Sequence, residues 1–205
     1  MSNYITSNFS NLIFSCSVPS QWHMEHRVPD HCVVFVRQGK LLISDKGRTE
    51  EIPAGSCVFL KKDCSVRLVK ASFAGKNYEG LNIRLPQNIL EDYFQRHLKN
   101  NEFPQDFTGL SNCFMRLNRT LCLQGLLSSI ILFVEEGQDP GQEMTELKVE
   151  ELILDLLQTD IRFFPTLFDF YRDWNVDLKE FMEDHFTENL SLSAVSYTHL
   201  TLPTK

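Results

Sequence analysis

Cys32-Val33-Val34-Phe35-Val36-Arg37-Gln38-Gly39-Lys40-Leu41-Leu42-Ile43-Ser44-Asp45-Lys46-Gly47-Arg48-Thr49-Glu50-Glu51-Ile52-Pro53-Ala54-Gly55-Ser56-Cys57-Val58-Phe59-Leu60 is the stretch that decides the fold. Short apolar runs alternate here with turn signals at Arg37-Gln38-Gly39-Lys40, Ser44-Asp45-Lys46-Gly47 and Ile52-Pro53-Ala54-Gly55. Glycine supplies the positive φ that a tight connection needs, and proline fixes φ where the third turn begins. Each of the three reads as a hairpin turn. Runs this short, spaced this regularly, are the signature of a β-sandwich or small β-barrel.

Outward from this stretch the same rhythm holds from Asn11 to about Pro86. Strands are expected near 11–16, 21–27, 31–37, 40–44, 48–52, 56–61, 65–70 and 76–85. Cys57/Phe59 against Val58/Leu60, and Val66/Leu68 against Arg67/Val69, show the period of two most clearly. Both faces are apolar in places, as expected where one face lines a barrel and helices cover the other.

After Pro86 the period changes to about 3.6 residues. Helices are expected over about 87–99, 117–136 and 143–158, with a loop at 100–112 and a stop at Gly137-Gln138-Asp139-Pro140-Gly141. The second carries Leu123, Leu126, Leu127, Ile130 and Ile131. On the third, Val149, Leu152, Ile153 and Leu156 share a face, while Leu147 and Leu154 lie nearly opposite. A helix apolar on two sides needs two partners, its own core and a second subunit. Leu126, Ile130, Leu147 and Leu154 are therefore the candidate dimer-interface residues; the alternative is burial wholly within one domain.

Composition limits the function classes. A 205-residue chain that is 42% hydrophobic can bury a core of its own, as one large domain or two small ones. It has no apolar run long enough to cross a bilayer. The first residues carry neither a basic n-region nor a long apolar h-region, so a secretory leader is not expected. The six cysteines form no CxxC pair and no metal spacing, which fits reduced thiols in a cytoplasmic protein. A net charge of −7 argues against the chain as it stands being a nucleic-acid binder, because phosphate contacts need a basic footprint.

Residues 159–175, with Phe163-Phe164-Pro165 and Phe168-Asp169-Phe170-Tyr171, read as a linker packed on something rather than a flexible tether. Asp177 to Phe186 then reads as an amphipathic helix, and Ser191 as the N-cap of another. A β-rich domain, a helical pair, a linker, then Leu178-x-x-Phe181-Met182-x-x-x-Phe186 and Asn189-Leu190-Ser191-Leu192: in this order the sequence resembles the AraC/XylS family of bacterial transcription regulators. The β-region is similar to the subgroup that contains the activator of type III secretion. The resemblance implies an α+β fold: a cupin-like small β-barrel at 1–86, a helical dimerisation region at 87–158, the linker at 159–175, and at 176–194 the first helix of an all-α helix-turn-helix domain. It also implies a homodimer that senses a small-molecule inducer or a regulatory protein, with DNA bound by the C-terminal domain. No DNA-contacting residue is carried over. Residues 195–205, Val195-Ser196-Tyr197-Thr198-His199-Leu200-Thr201-Leu202-Pro203-Thr204-Lys205, resemble the translation of a sequencing adapter and stand outside the fold reasoning. The DNA-binding domain is accordingly expected to be truncated.

The competing reading is a stand-alone cupin-like small-molecule-binding protein or enzyme. Gly47-(x)5-Pro53-x-Gly55 matches the turn of the second cupin motif, yet Val58 stands where that motif has histidine, and Lys62 where it has asparagine. His23 and His26, three apart on a strand, point to opposite faces, so they do not form a ligand pair. No metal, cofactor or catalytic residue is expected. His31, beside a strand, is the histidine with scope for a pH or ligand role. Trp22, Phe35, Phe59 and Tyr78 are the candidate walls of a ligand pocket inside the barrel.

Overall fold

The computed structural model describes residues 5–19, 21–98 and 108–170. The expected helix at 177–186, the segment 189–192 and the tail 195–205 lie outside the described residues. The chain forms one compact unit over Met1–Leu167 and a second over Phe168–Lys205, which is described only at 168–170.

Ten strands make up the first unit's β-region: β1 Ile5–Phe9, β2 Ile13–Val18, β3 Trp22–Arg27, β4 His31–Gln38, β5 Lys40–Asp45, β6 Arg48–Pro53, β7 Cys57–Leu60, β8 Ser65–Ala71, β9 Tyr78–Leu85 and β10 Phe114–Leu117. They pair antiparallel into a six-stranded sheet of order β1-β2-β9-β4-β7-β10 and a four-stranded sheet of order β3-β8-β5-β6. Apart from the paired neighbours β1–β2 and β5–β6 and the step from β9 to β10, each connection crosses from one sheet to the other.

Only one of the three expected hairpin turns closes a hairpin. Asp45 pairs with Arg48, and the two residues between them, Lys46 at φ 43° and Gly47 at φ 86°, both take the left-handed conformation of a tight two-residue turn. Arg37–Lys40 instead carries the chain from β4 in the larger sheet to β5 in the smaller one. Gly39 sits at φ 74°, where an added Cβ would lie 2.6 Å from the Ala71 carbonyl oxygen. A side chain is excluded there twice over, by conformation and by space. The turn before Gly55 crosses back to β7, and the Gly55 N–H is held by the Val36 carbonyl at 2.7 Å.

Alternate residues of the larger sheet face two different cores. Val34 and Val36, Val58 and Leu60, and Tyr78 meet Leu41, Ile43, Ile52, Val66 and Leu68 of the smaller sheet in the barrel interior. The opposite face, with Val33, Phe59, Leu81 and Ile83, is as deeply buried, and there the helices lie. These are α1 Gln87–Tyr93, continued by a π-helical turn Phe94–Leu98, then α2 Leu121–Glu136, α3 Gln142–Thr159 and the short α4 Phe163–Leu167. Thr120 caps α2 by accepting the Leu123 N–H at 2.9 Å, and Gly137 ends it at φ 63° with its N–H on the Phe133 and Val134 carbonyls. Among the described residues no helix is long and apolar enough to cross a membrane.

Three elements differ from expectation, the first being α4, which lies within the expected linker at 159–175. β10 lies between the expected loop at 100–112 and the expected second helix, taking only that helix's first residue, Leu117; it pairs with β7 from Phe114↔Leu60 to Leu117↔Cys57. β1 adds a strand at the other edge, paired with β2.

Candidate functional site

On β8 the inward positions run Val66, Leu68, Lys70, so a lysine takes the place that alternation reserves for an apolar side chain. Lys70 is 9% exposed. Its Nζ reaches across to β2 of the opposite sheet and donates to Cys16 Sγ at 3.3 Å. The same ammonium lies 5.1 Å from the centre of the Trp22 ring and 5.5 Å from that of Tyr78, where the ring faces partly offset the loss of water. Among the described residues no carboxylate pairs with it.

β9 supplies the facing wall. Tyr78, Gly80, Asn82 and Arg84 alternate on the inner face, and Gly80 leaves room for the Tyr78 ring, whose hydroxyl would lie 2.6 Å from an added Cβ. That hydroxyl is buried with no hydrogen-bond partner among the described residues, and burial raises its pKa, with Cys16 adding to the effect. Asn82 Nδ2 approaches Cys16 Sγ at 3.8 Å. Arg84 differs from Lys70 in being neutralised: its Nε donates to Asp30 Oδ2 at 3.2 Å and its Nη2 to the same oxygen.

Between these walls is a cavity of about 290 Å3, lined by Trp22, Met24, Val34, Leu41, Leu60 and Leu68 together with Lys70, Asn82 and the Asp30–Arg84 pair. An apolar chamber with one unpaired cation suits a ligand with an apolar body and a single anionic group. Cys32 also lines it, but burial, reinforced by Asp30, pushes its thiol up to about 12, so it remains a neutral wall at neutral pH. Among the described residues no group of three or more His, Cys, Asp or Glu could hold a metal.

The structure divides the four expected pocket residues into two pairs. Trp22 and Tyr78 are on the barrel side, Trp22 in the cavity wall and Tyr78 beneath Lys70. Phe35 and Phe59 are on the helix side: Phe35 lines a groove against α2, and the buried Phe59 ring meets Phe163 at 5.0 Å and 81°. They are not barrel walls, because Val34 and Val58, one residue away, take the inward positions. His31 joins them; it is buried, stacked on Phe59 at 5.5 Å, and accepts the Lys62 backbone N–H on Nδ1 at 3.1 Å. Sequence reasoning missed Lys70, Asn82 and Arg84, although a lysine continuing the Val66-Leu68 row was the available signal.

The four expected dimer residues also divide. Leu126 and Ile130 are buried in their own domain, at 0% and 1% exposure, so neither can meet a second subunit without opening the core. Leu147 and Leu154 are 56% and 48% exposed on the outer face of α3.

A family model described as the ExsA N-terminal regulatory domain matches residues 31–163. No curated protein matches the chain. Among solved structures, apo ToxT from Vibrio cholerae strain SCE256, in a lysine-to-alanine variant, superposes with a TM-score of 0.57 at 13% identity, over 96% of this chain and 73% of that one. Wild-type ToxT of the same strain, bound to an unsaturated fatty acid, gives 0.50 at 12% identity, over 72% of this chain and 53% of that one. ToxT from Vibrio cholerae O395, bound to (E)-4-(8-methylnaphthalen-1-yl)but-3-enoic acid, gives 0.50 at 12%, over 93% and 71%. The chain thus spans between 53% and 73% of the length of these ToxT structures, and at such identities the likeness shows the fold. The match extends from the first residue of β4 to the first of α4, and the chain belongs to the ExsA N-terminal regulatory domain family, the regulatory part of an AraC-type transcription regulator.

Proposed function

We propose that this domain senses an apolar organic monoanion in the barrel cavity and passes its occupancy to the DNA-binding part of a longer regulator. One observation carries the reading: Lys70 is a buried ammonium whose hydrogen bond goes to a thiol and not to a carboxylate. A charge held away from water without a counter-ion is costly, and a ligand carboxylate would remove that cost. The two ToxT ligands, an unsaturated fatty acid and an aryl-butenoic acid, are both apolar carboxylic acids. In this reading the protein is a regulator and not an enzyme, and it works in the cytoplasm where its DNA is.

Two further parts belong to the same proposal. A second copy covers the exposed Leu147–Leu154 stripe of α3, making a homodimer. Sequence-specific DNA binding lies in a helix-turn-helix domain that residues 176–194 open. Ligand binding would then act by linkage, favouring whichever dimer or inter-domain arrangement binds it better.

The test is calorimetric titration of the full chain with dodecanoate and with methyl dodecanoate. Dodecanoate is expected to bind, the ester to bind at least ten-fold more weakly, and Lys70→Met to abolish the difference. Equal binding of acid and ester, or an unaffected Lys70→Met variant, removes the carboxylate reading. The alternative of a cupin-like enzyme would be favoured by stoichiometric zinc, iron or manganese in the purified protein.

A further inference from the structure

On the other side of the larger sheet, a groove runs between the β10 end and the first half of α2. It encloses about 620 Å3, and among the described residues no acidic side chain lines it. Its apolar side is built by Phe35, Leu117, Leu123, Leu127 and Ile131. Arg116 and Arg119 stand among its lining residues.

Among the described residues neither arginine forms an ion pair with a carboxylate. Arg116 donates to the Ser56 hydroxyl at 2.9 Å, and among the described residues Arg119 makes no hydrogen bond or ion pair. Asp155 of α3, whose Oδ1 accepts from Thr120 Oγ1 at 2.8 Å, forms no ion pair with either arginine among the described residues. The buried Cys57 beside them supplies no negative charge at neutral pH, since burial pushes its thiol up to about 12. Two guanidinium groups without an ion pair at one groove are notable in a chain of net charge −7, because the other described arginines all pair with carboxylates. Arg119 also immediately precedes the N-cap of α2, so the positive end of a 16-residue helix adds to the same field.

We infer that this groove is a second ligand site, separate from the barrel cavity, for an organic anion with an aromatic or aliphatic body. The anionic group, a carboxylate, sulfonate or phosphate, is held by Arg116 and Arg119, whose planar forks suit such oxygens. The body lies along Phe35, Leu123, Leu127 and Ile131. The volume fits a small organic molecule rather than a bare inorganic ion. Because α2 supplies much of the wall, occupancy of the groove bears directly on the helical layer, whereas occupancy of the barrel bears on the sheets.

The probe is 8-anilinonaphthalene-1-sulfonate, titrated into the full chain and followed by amide chemical shifts. Shifts are expected at Gly55, Ser56, Gln124 and Ser128. The exposed double substitution Arg116→Gln/Arg119→Gln should weaken that response about ten-fold or more, with an unchanged unfolding midpoint. Lys70→Met should leave it as in the wild type, which separates this site from the barrel. The inference is overturned if the shifts fall only on barrel residues such as Trp22 and Met24. It is equally overturned if the double variant binds as the wild type does, or if the uncharged N-phenyl-1-naphthylamine occupies the groove as tightly as the sulfonate.

Discussion

The Phe59 ring, in the middle of β7, meets the edge of the Phe163 ring at 5.0 Å between centroids, with the planes at 81°. Both rings are fully buried. Phe163 begins α4, beyond the end of α3, so this contact fastens the last helix of the unit to its central sheet. A second fastening lies alongside, where Thr166 Oγ1 accepts the Leu110 N–H at 2.7 Å and donates to the Arg162 carbonyl. The segment expected as a linker is therefore anchored at its start.

Phe163→Ala should cost about 3–5 kcal/mol, the range for deleting a buried aromatic ring and leaving its cavity. Urea unfolding followed by circular dichroism reads this directly. A loss below about 1 kcal/mol would mean that the ring is not part of the cooperative core.

Gly39 and Gly47 separate two costs that are often confounded. Both have positive φ, at 74° and 86°. A Cβ at Gly47 meets nothing within 4 Å, whereas one at Gly39 would lie 2.6 Å from the Ala71 oxygen and 2.8 Å from Tyr78 Cα. Gly47→Ala should lose only the left-handed penalty, about 1–2 kcal/mol. Gly39→Ala adds a backbone clash of about 1–3 kcal/mol more, because neither neighbour is a flexible side-chain end. Equal losses in the two variants would show that the β4–β5 corner can shift aside.

The buried thiols set the alkaline limb of stability. Cys32 and Cys57 are both raised from 9.0 to about 12, chiefly by burial. A group that keeps its proton longer in the fold than in the unfolded chain gives stability that is complete below the unfolded value. That stability is lost as pH rises through the window from about 9 toward 12. Each thiol then contributes a loss of about 1 kcal/mol by pH 10, and Tyr78, raised by burial as well, acts in the same direction at higher pH. Urea midpoints at pH 7.5 and 10 should fall apart accordingly, and Cys57→Ala should narrow the gap. Iodoacetamide at pH 8 should reach the exposed Cys122 first and Cys57 only on unfolding.

How much of this was legible can be judged from particular strands. The turn at Ser44–Gly47 and the strands on either side of it were readable, because one apolar face and a glycine pin both register and turn type. β10 was not: Phe114-Met115-Arg116-Leu117 is too short to show a period, and its pairing with β7 is a long-range event. The same limit explains why Arg37–Lys40 read as a hairpin. A local pattern marks a change of direction but not whether the next strand joins the same sheet. Phe35 and Phe59 were assigned to the wrong side since β4 and β7 are apolar on both faces, so alternation carries no sign there. Lys70 was legible in principle, as a charged residue continuing the inward Val66–Leu68 row, yet its meaning depends on Cys16, Trp22 and Tyr78 converging from three other strands.

The dimer question turns on which apolar residues of the helical layer are already spent. Val149, Leu152, Ile153 and Leu156 of α3 are buried in the domain, as are Leu126 and Ile130 of α2. Met144, Leu147 and Leu154 remain 41%, 56% and 48% exposed on the same helix, three and seven residues apart, which puts them close to one stripe. Scattered exposed leucines need no explanation, but a stripe on a long helix is a surface on which an antiparallel copy can pack. Leu147→Glu and Leu154→Glu should therefore yield monomers by sedimentation velocity, with unfolding midpoints measured on the monomers showing an intact fold. Leu126→Glu should instead unfold the domain, since it places a carboxylate in the core. If Leu147→Glu and Leu154→Glu sediment as the wild type does, α3 is not the interface, and the second copy, if there is one, binds elsewhere.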